Sequence, residues 1–140
     1  MLPLSTTYML SMMATEMERV RQINRASIKN GGKYVLYWAQ MNRRVDSNHA
    51  LLHAAELANR FKLPLLYYEG LTCSYPFAND RLHTFILQGV PETAKRLAKL
   101  GIGYQFHLRK RSSDRNDTVY QLATDAAALV TDDFLTFVTR

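Results

Sequence analysis

With one cysteine, Cys73, the 140-residue chain has no disulfide of its own to staple it, and this thiol usage fits a reducing, cytoplasmic setting. No apolar run approaches the roughly 20 residues of a membrane-spanning helix. The apolar start MLPLSTTYMLSMM has no Lys or Arg before Arg19. It lacks the basic opening of a secretory signal and reads as a flexible tail over residues 1–15. Neither GxGxxG nor GxxxxGK follows the first strand, and the turn there contains no glycine at all, which disfavours a phosphate-cradling loop. Acidic residues are outnumbered 12 to 18, giving a net charge of +6. The excess is split among residues 19–25, 43–44 and 109–115, and three separate patches make a poorer nucleic-acid footprint than one stripe.

What is present suits one globular domain over residues 16–140, since 47% of the chain is hydrophobic and 21% charged. Met17, Val20 and Ile23 at helical spacing predict a short basic helix over residues 15–26, ended by Asn30-Gly31-Gly32. Residues 33–39 are almost continuously apolar, as a parallel strand covered on both faces must be. A helix over residues 48–61 follows, capped by Asp46 or Ser47, with Ala50, Leu51, Ala54, Leu57, Ala58 and Phe61 on one stripe. Pro64 opens a second strand over residues 65–69, and Gly70 ends it. Asn79 or Asp80 caps a helix over residues 81–100 that Gly89 and Pro91 should kink or break, and Gly101 stops it. A strand over residues 103–108, a basic loop to Asn116, a helix over residues 117–126 and a strand over residues 128–131 complete the pattern. Strands separated by helices predict an α/β fold, a doubly wound, Rossmann-like parallel sheet.

In such sheets ligands settle beyond the carboxyl ends of the strands, where strand order reverses. With the first strand beside the fourth, their loops meet there. One supplies Gln40, Asn42, Arg43 and Arg44, and the other supplies Thr131, Asp132, Asp133 and Phe134, with Glu69 of the second strand adjacent. Hydrogen-bonding groups beside an aromatic wall suit a planar, polar ring. The bland alternative makes Asp46, Asp132 and Asp133 helix caps and the arginines solvated. His49, His53 and Glu56 have a spacing that can hold a metal, but no convincing third ligand joins them, so no metal site is expected. Cys73 has no identifiable base, and no Ser/His/Asp set can be assigned, so no catalytic residue is expected.

The blocks YVLYWAQMNRRVDSNHALLHAAELAN, LPLLYYEGL, YPFANDRLHTFILQGV and ALVTDDF, in that order, resemble the N-terminal domain of class II DNA photolyases, part of the photolyase/cryptochrome family. The resemblance covers residues 17–140. It implies a sheet of strand order 3-2-1-4, followed in the family by a fifth strand that this chain is expected to lack. It also implies a role in the light-driven repair of ultraviolet-induced cyclobutane pyrimidine dimers, a deoxyribodipyrimidine photo-lyase activity. In such enzymes the flavin adenine dinucleotide (FAD) and the lesion pocket belong to a C-terminal helical domain, with no counterpart here before Arg140. The expectation is a truncated, inactive fragment whose partners are that FAD domain and, through the full-length enzyme, DNA. The N-terminal domain can hold an antenna pigment of the 8-hydroxy-5-deazaflavin type. Two departures fall in the first loop: Met41-Asn42 stands where family members usually carry Arg-Asp, and His49 where a Trp often follows the asparagine. Asn42 keeps hydrogen-bonding capacity without the carboxylate, and Met41 lacks the cation. Two other readings stand beside this one: a stand-alone small-molecule or nucleotide-binding α/β domain, and an interaction module that pairs as a homodimer through an exposed strand edge. No membrane partner is expected.

Overall fold

In the computed structural model the described residues are 15–74 and 78–133. They form four parallel strands and three helices: β1 (Tyr34–Ala39), α1 (His49–Phe61), β2 (Leu65–Thr72), α2 (Asp80–Lys99), β3 (Gly103–Arg109), α3 (Thr118–Asp125) and β4 (Ala126–Thr131). The sheet runs β3-β2-β1-β4, the expected order, with β1 paired to β2 on one side and to β4 on the other.

The central position of β1 follows from its sequence. Val35, Leu36 and Tyr37 are fully buried on alternating faces, which only a strand covered on both sides permits. Val35, Tyr37 and Ala39 meet Tyr67 of β2, Leu51, Ala54 and Ala58 of α1, and Leu97 of α2. On the other face Leu36 and Tyr68 meet Val119 of α3 and Ala126. Small residues at 54 and 58 let α1 lie close to the sheet. Burying each large apolar side chain contributes about 1.5–3 kcal/mol.

Several boundaries differ from expectation. The helix expected over residues 15–26 does not form. Only Met17–Arg19 makes a 3-10 turn, with no buried residue. Met17 and Ile23 are 73% and 78% exposed, so the apolar stripe has no surface to cover, and isolated helices shorter than ~12–15 residues are marginal in water. The segment is instead tied to β4. Arg21 pairs with Asp133 at 2.9 Å, and the Lys29 N–H donates to the Ala127 carbonyl at 2.9 Å. Gly32 lies so close to β4 that a Cβ there would sit 2.4 Å from the Ala127 backbone.

The cap of α1 is neither Asp46 nor Ser47 but Asn48, whose side chain accepts the Leu51 N–H. β2 does not end at Gly70; it continues to Thr72 because Gly70 still pairs with His107 of β3. α2 runs unbroken through Gly89 and Pro91. Proline there forfeits one bond, to the carbonyl of Leu87, which is on the exposed side where water can take its place. Gly101, at φ +71°, ends that helix as expected. The fourth strand starts two residues early, at Ala126.

Candidate functional site

The loop after β1 is held from three directions. Its first anchor comes from the end of β4, where Asp132 is only 7% exposed. One carboxylate oxygen of Asp132 accepts the Gln40 N–H at 2.9 Å, and the other accepts those of Met41 at 2.8 Å and Asn42 at 3.0 Å. Three successive amides converging on one point make an anion-binding concavity. Here the anion is the chain's own aspartate. Beside it the Gln40 side chain donates to Thr131 Oγ1 at 3.1 Å, and that hydroxyl donates to the Trp38 carbonyl at 2.8 Å.

The second anchor lies over β2. Arg43 donates to Glu69 Oε1 at 2.6 Å and to the Gly70 carbonyl at 2.9 Å. Tyr104 of β3 donates to the second Glu69 oxygen at 3.0 Å. The Glu69 side chain is 4% exposed, so both of its oxygens are satisfied inside the protein. Such a pair costs desolvation to form, but breaking it leaves a buried charge alone. Burial raises the Tyr104 hydroxyl well above its ordinary value of 10, reinforced by the neighbouring Glu69 charge.

Asn48 is the third anchor. It caps α1 and donates from Nδ2 to Tyr37 Oη at 2.9 Å, to the Arg44 carbonyl at 3.0 Å and to the Asn42 carbonyl at 3.3 Å. Nothing in the sequence pattern separated this hub from its polar neighbours except its place immediately before the apolar stripe of α1. The ring of Tyr67 packs between Tyr37 and Tyr104, with centroids 5.0 and 5.8 Å away. The Tyr67 hydroxyl is buried without a hydrogen-bond partner among the described residues.

Of the residues expected at this crevice, the structure brings Gln40, Asn42, Thr131 and Asp132 together, and sets Arg43 with Glu69 beside them. Arg44 is exposed, and neither its side chain nor that of Asn42 has a partner among the described residues. Asp133 turns outward to Arg21. Phe134 lies outside the described residues, as do Tyr75, Pro76 and Phe77. Asp46, weighed as a cap, pairs with Arg96 of α2. Among the described residues no three His, Cys, Asp or Glu side chains group as metal ligands. Glu56 takes the Thr15 N–H at 2.9 Å.

A feature that the sequence pattern did not reveal opens on the opposite face. Between α3 and the carboxyl ends of β1, β2 and β3 lies a cleft of about 240 Å³, bordered by Trp38, Tyr68, Gly70, His107, Arg109 and Tyr120.

Sequence comparison connects this geometry to known proteins. A deoxyribodipyrimidine photo-lyase of Methanothermobacter thermautotrophicus is 38% identical over 115 residues, covering 82% of this chain and 25% of that protein. The enzyme of the same name from Potorous tridactylus is 35% identical over 92 residues, covering 65% of this chain and 17% of that protein. A third, from Arabidopsis thaliana, is 32% identical over 100 residues, covering 70% and 19%. The chain is related to the deoxyribodipyrimidine photo-lyases. It spans a quarter or less of the length of these relatives. No protein-family model matches it. Among solved structures, a universal stress protein from Archaeoglobus fulgidus aligns with a TM-score of 0.46 at 19% identity, over 70% of this chain and 74% of that one. A universal stress protein family member from Burkholderia pseudomallei aligns with a TM-score of 0.44 at 16% identity, over 72% and 82%. Among the described residues, no helix of this photo-lyase relative is long and apolar enough to cross a membrane.

Proposed function

We propose that this chain is the N-terminal, antenna-type α/β domain of a class II photolyase, acting within a cytoplasmic enzyme that repairs cyclobutane pyrimidine dimers with light. The observation that carries the reading is the similarity to three photo-lyases, which in the first of them takes in 82% of this chain. The β3-β2-β1-β4 order agrees with it. On this reading FAD and the contacts to DNA belong to sequence beyond these 140 residues, and the α/β unit supports that domain.

On this reading a pigment of the 8-hydroxy-5-deazaflavin type would sit at the outer side of the crevice. The inner donors are spent: three amides on Asp132, and Arg43 on Glu69. Asn42 and Arg44 keep free hydrogen-bonding capacity and would hold the polar edge of the ring. Bound there, the pigment would supply light absorption, while this chain's own residues position it.

Fluorescence anisotropy of 8-hydroxy-5-deazaflavin titrated with the chain tests the pigment site. Saturable binding that weakens in Asn42→Ala and Arg44→Ala supports it, and no binding by the wild type overturns it. The division of labour is tested separately by a dimer-repair assay in blue light with added reduced FAD. No repair by the chain is expected, and robust repair would refute the assignment of the flavin chemistry elsewhere. Pairing of two copies through β4 is a second reading, favoured by Leu129, which is 41% exposed on that strand. Lys29 already occupies the Ala127 carbonyl, so the free length of that edge is short.

A further inference from the structure

We infer that the cleft on the α3 face is a second ligand site, built for a small anionic aromatic molecule of the nucleoside monophosphate class. This inference does not rest on the photolyase reading, because it uses neither the crevice after β1 nor the sequence relatives.

The cleft has three aromatic walls, from Trp38, Tyr68 and Tyr120. Over Gly70 the Tyr68 hydroxyl closes in, 3.0 Å from where a Cβ would stand. Trp38, Tyr68 and Gly70 share this face of the sheet, and the parallel register sets His107 beside Gly70 and Arg109 beside Thr72. A flat ring lodged among the three aromatic side chains has partners to stack on, as nucleobases do.

The polar end of the cleft carries one sign of charge. Among the described residues no Asp or Glu lines it. Arg109 is held in place by Ser74 Oγ at 2.9 Å, Thr72 Oγ1 at 3.4 Å, the Asp114 carbonyl at 2.9 Å and the Ser112 carbonyl. Every one of these partners is neutral, and no carboxylate lies within ion-pair distance of Arg109 among the described residues. The guanidinium is therefore held by four neutral acceptors, with no carboxylate partner among the described residues, and one of its five N–H donors remains for an anion. Two residues earlier on β3, His107 Nε2 is buried and has no hydrogen-bond partner among the described residues. The opening turn of α3, with Thr118, Val119 and Tyr120, forms the far wall. Its N-cap residue, Asp117, makes no side-chain capping bond and instead engages Arg115 and Gln121. No side chain caps the first amides of the helix, and the Asp117 carboxylate at its dipole end is paired with Arg115.

Size narrows the class. Pockets for drug-sized ligands run to roughly 300–1,000 Å³, so a cleft of about 240 Å³ suits one ring system with its anionic group and is too small for a dinucleotide. The phosphate falls to Arg109 and the start of α3, and the base to Trp38, Tyr68 and Tyr120.

The chain's one tryptophan is Trp38, so its emission reports on this cleft directly. AMP, adenosine and inorganic phosphate are titrated separately into the full 140-residue chain. AMP should change Trp38 emission saturably, with adenosine binding at least about tenfold more weakly because it lacks the anion. Arg109→Gln should weaken AMP by about tenfold and leave adenosine unchanged, with circular dichroism reporting the fold. Should Arg109→Gln unfold the protein, the salt dependence of wild-type binding replaces it: AMP affinity falls with added salt and adenosine affinity does not. Asn42→Ala, in the crevice after β1, should leave AMP binding intact. The inference is overturned by no saturable AMP response, by equal affinity for AMP and adenosine, by phosphate alone binding as well as AMP, or by loss of AMP binding in Asn42→Ala.

Discussion

Replacing Asp132 with alanine should destabilise the protein more than any other change to the crevice. The carboxylate accepts three backbone amides from consecutive residues and is almost fully buried. A hydrogen bond to a charged group contributes about 1.5–3 kcal/mol, and orphaning a buried donor costs about 1–3 kcal/mol. The three bonds share one acceptor group, so their effects are not additive, and a loss of about 3–5 kcal/mol is the reasonable total, similar to breaking a buried ion pair. For a domain of this size that lowers Tm by roughly 10–15 °C.

Asp132→Asn separates charge from shape. Its amide keeps the volume, but its NH2 must face an amide N–H, donor against donor, so a loss of about 2–3 kcal/mol remains. Asp133→Ala is the control, since its partner Arg21 is 73% exposed and the pair should contribute under about 1 kcal/mol. Urea unfolding followed by far-ultraviolet circular dichroism and Trp38 emission measures all three variants. An Asp132→Ala loss below about 1 kcal/mol, or an asparagine variant as stable as wild type, would refute the view that this carboxylate organises the loop.

Tyr67→Phe should be neutral or stabilising by up to about 1–2 kcal/mol in the same assay, because it removes a buried hydroxyl that has no partner among the described residues. Asn48→Ala should cost about 2–3 kcal/mol, as it loses both the α1 cap and the bonds to Tyr37, Asn42 and Arg44. Gly32→Ala should cost about 1–3 kcal/mol through overpacking against Ala127, read as a lowered urea midpoint. Burial raises the hydroxyl pKa values of Tyr37, Tyr67 and Tyr104 above the unfolded value of 10. Their contribution is therefore intact below pH 10 and lost as pH rises beyond it, so these tyrosines should ionise only with alkaline unfolding, seen as coincident tyrosinate absorbance and circular dichroism changes.

The sheet was legible because its signal is physical and local. A strand buried on both faces must be apolar throughout, and residues 34–39 are; a helix on a sheet must show a stripe, and residues 50–61 do. Where the first helix was expected, apolar periodicity was present but its counter-surface was not, and a sequence carries no record of whether a stripe has something to cover. The same limit applies to the crevice. The residue types at Gln40, Arg43, Glu69, Thr131 and Asp132 were recognisable as a polar cluster at the switch point. Whether their hydrogen bonds point at one another or at a ligand depends on distances that spacing does not encode. Asn48 was missed because three polar residues precede α1 and any of them could cap it. The cleft was missed because Trp38, Tyr68, His107 and Arg109 come from three strands and meet only through the parallel register.

That contrast decides where this domain can still recognise something. At the crevice after β1, carboxylates and donors have found each other: Asp132 neutralises the amide concavity, and Glu69 neutralises Arg43. A ligand arriving there competes with bonds already made, and gains only what Asn42 and Arg44 still offer. On the α3 face the opposite holds. Arg109 is fixed by neutral partners, with no carboxylate against it among the described residues, and the α3 start is uncapped by a side chain, so positive potential is left less compensated than in the crevice. Such an arrangement costs folding stability and is repaid only when an anion arrives. The two sites therefore differ in kind, one holding the fold at the point where strand order reverses, the other keeping binding capacity in reserve.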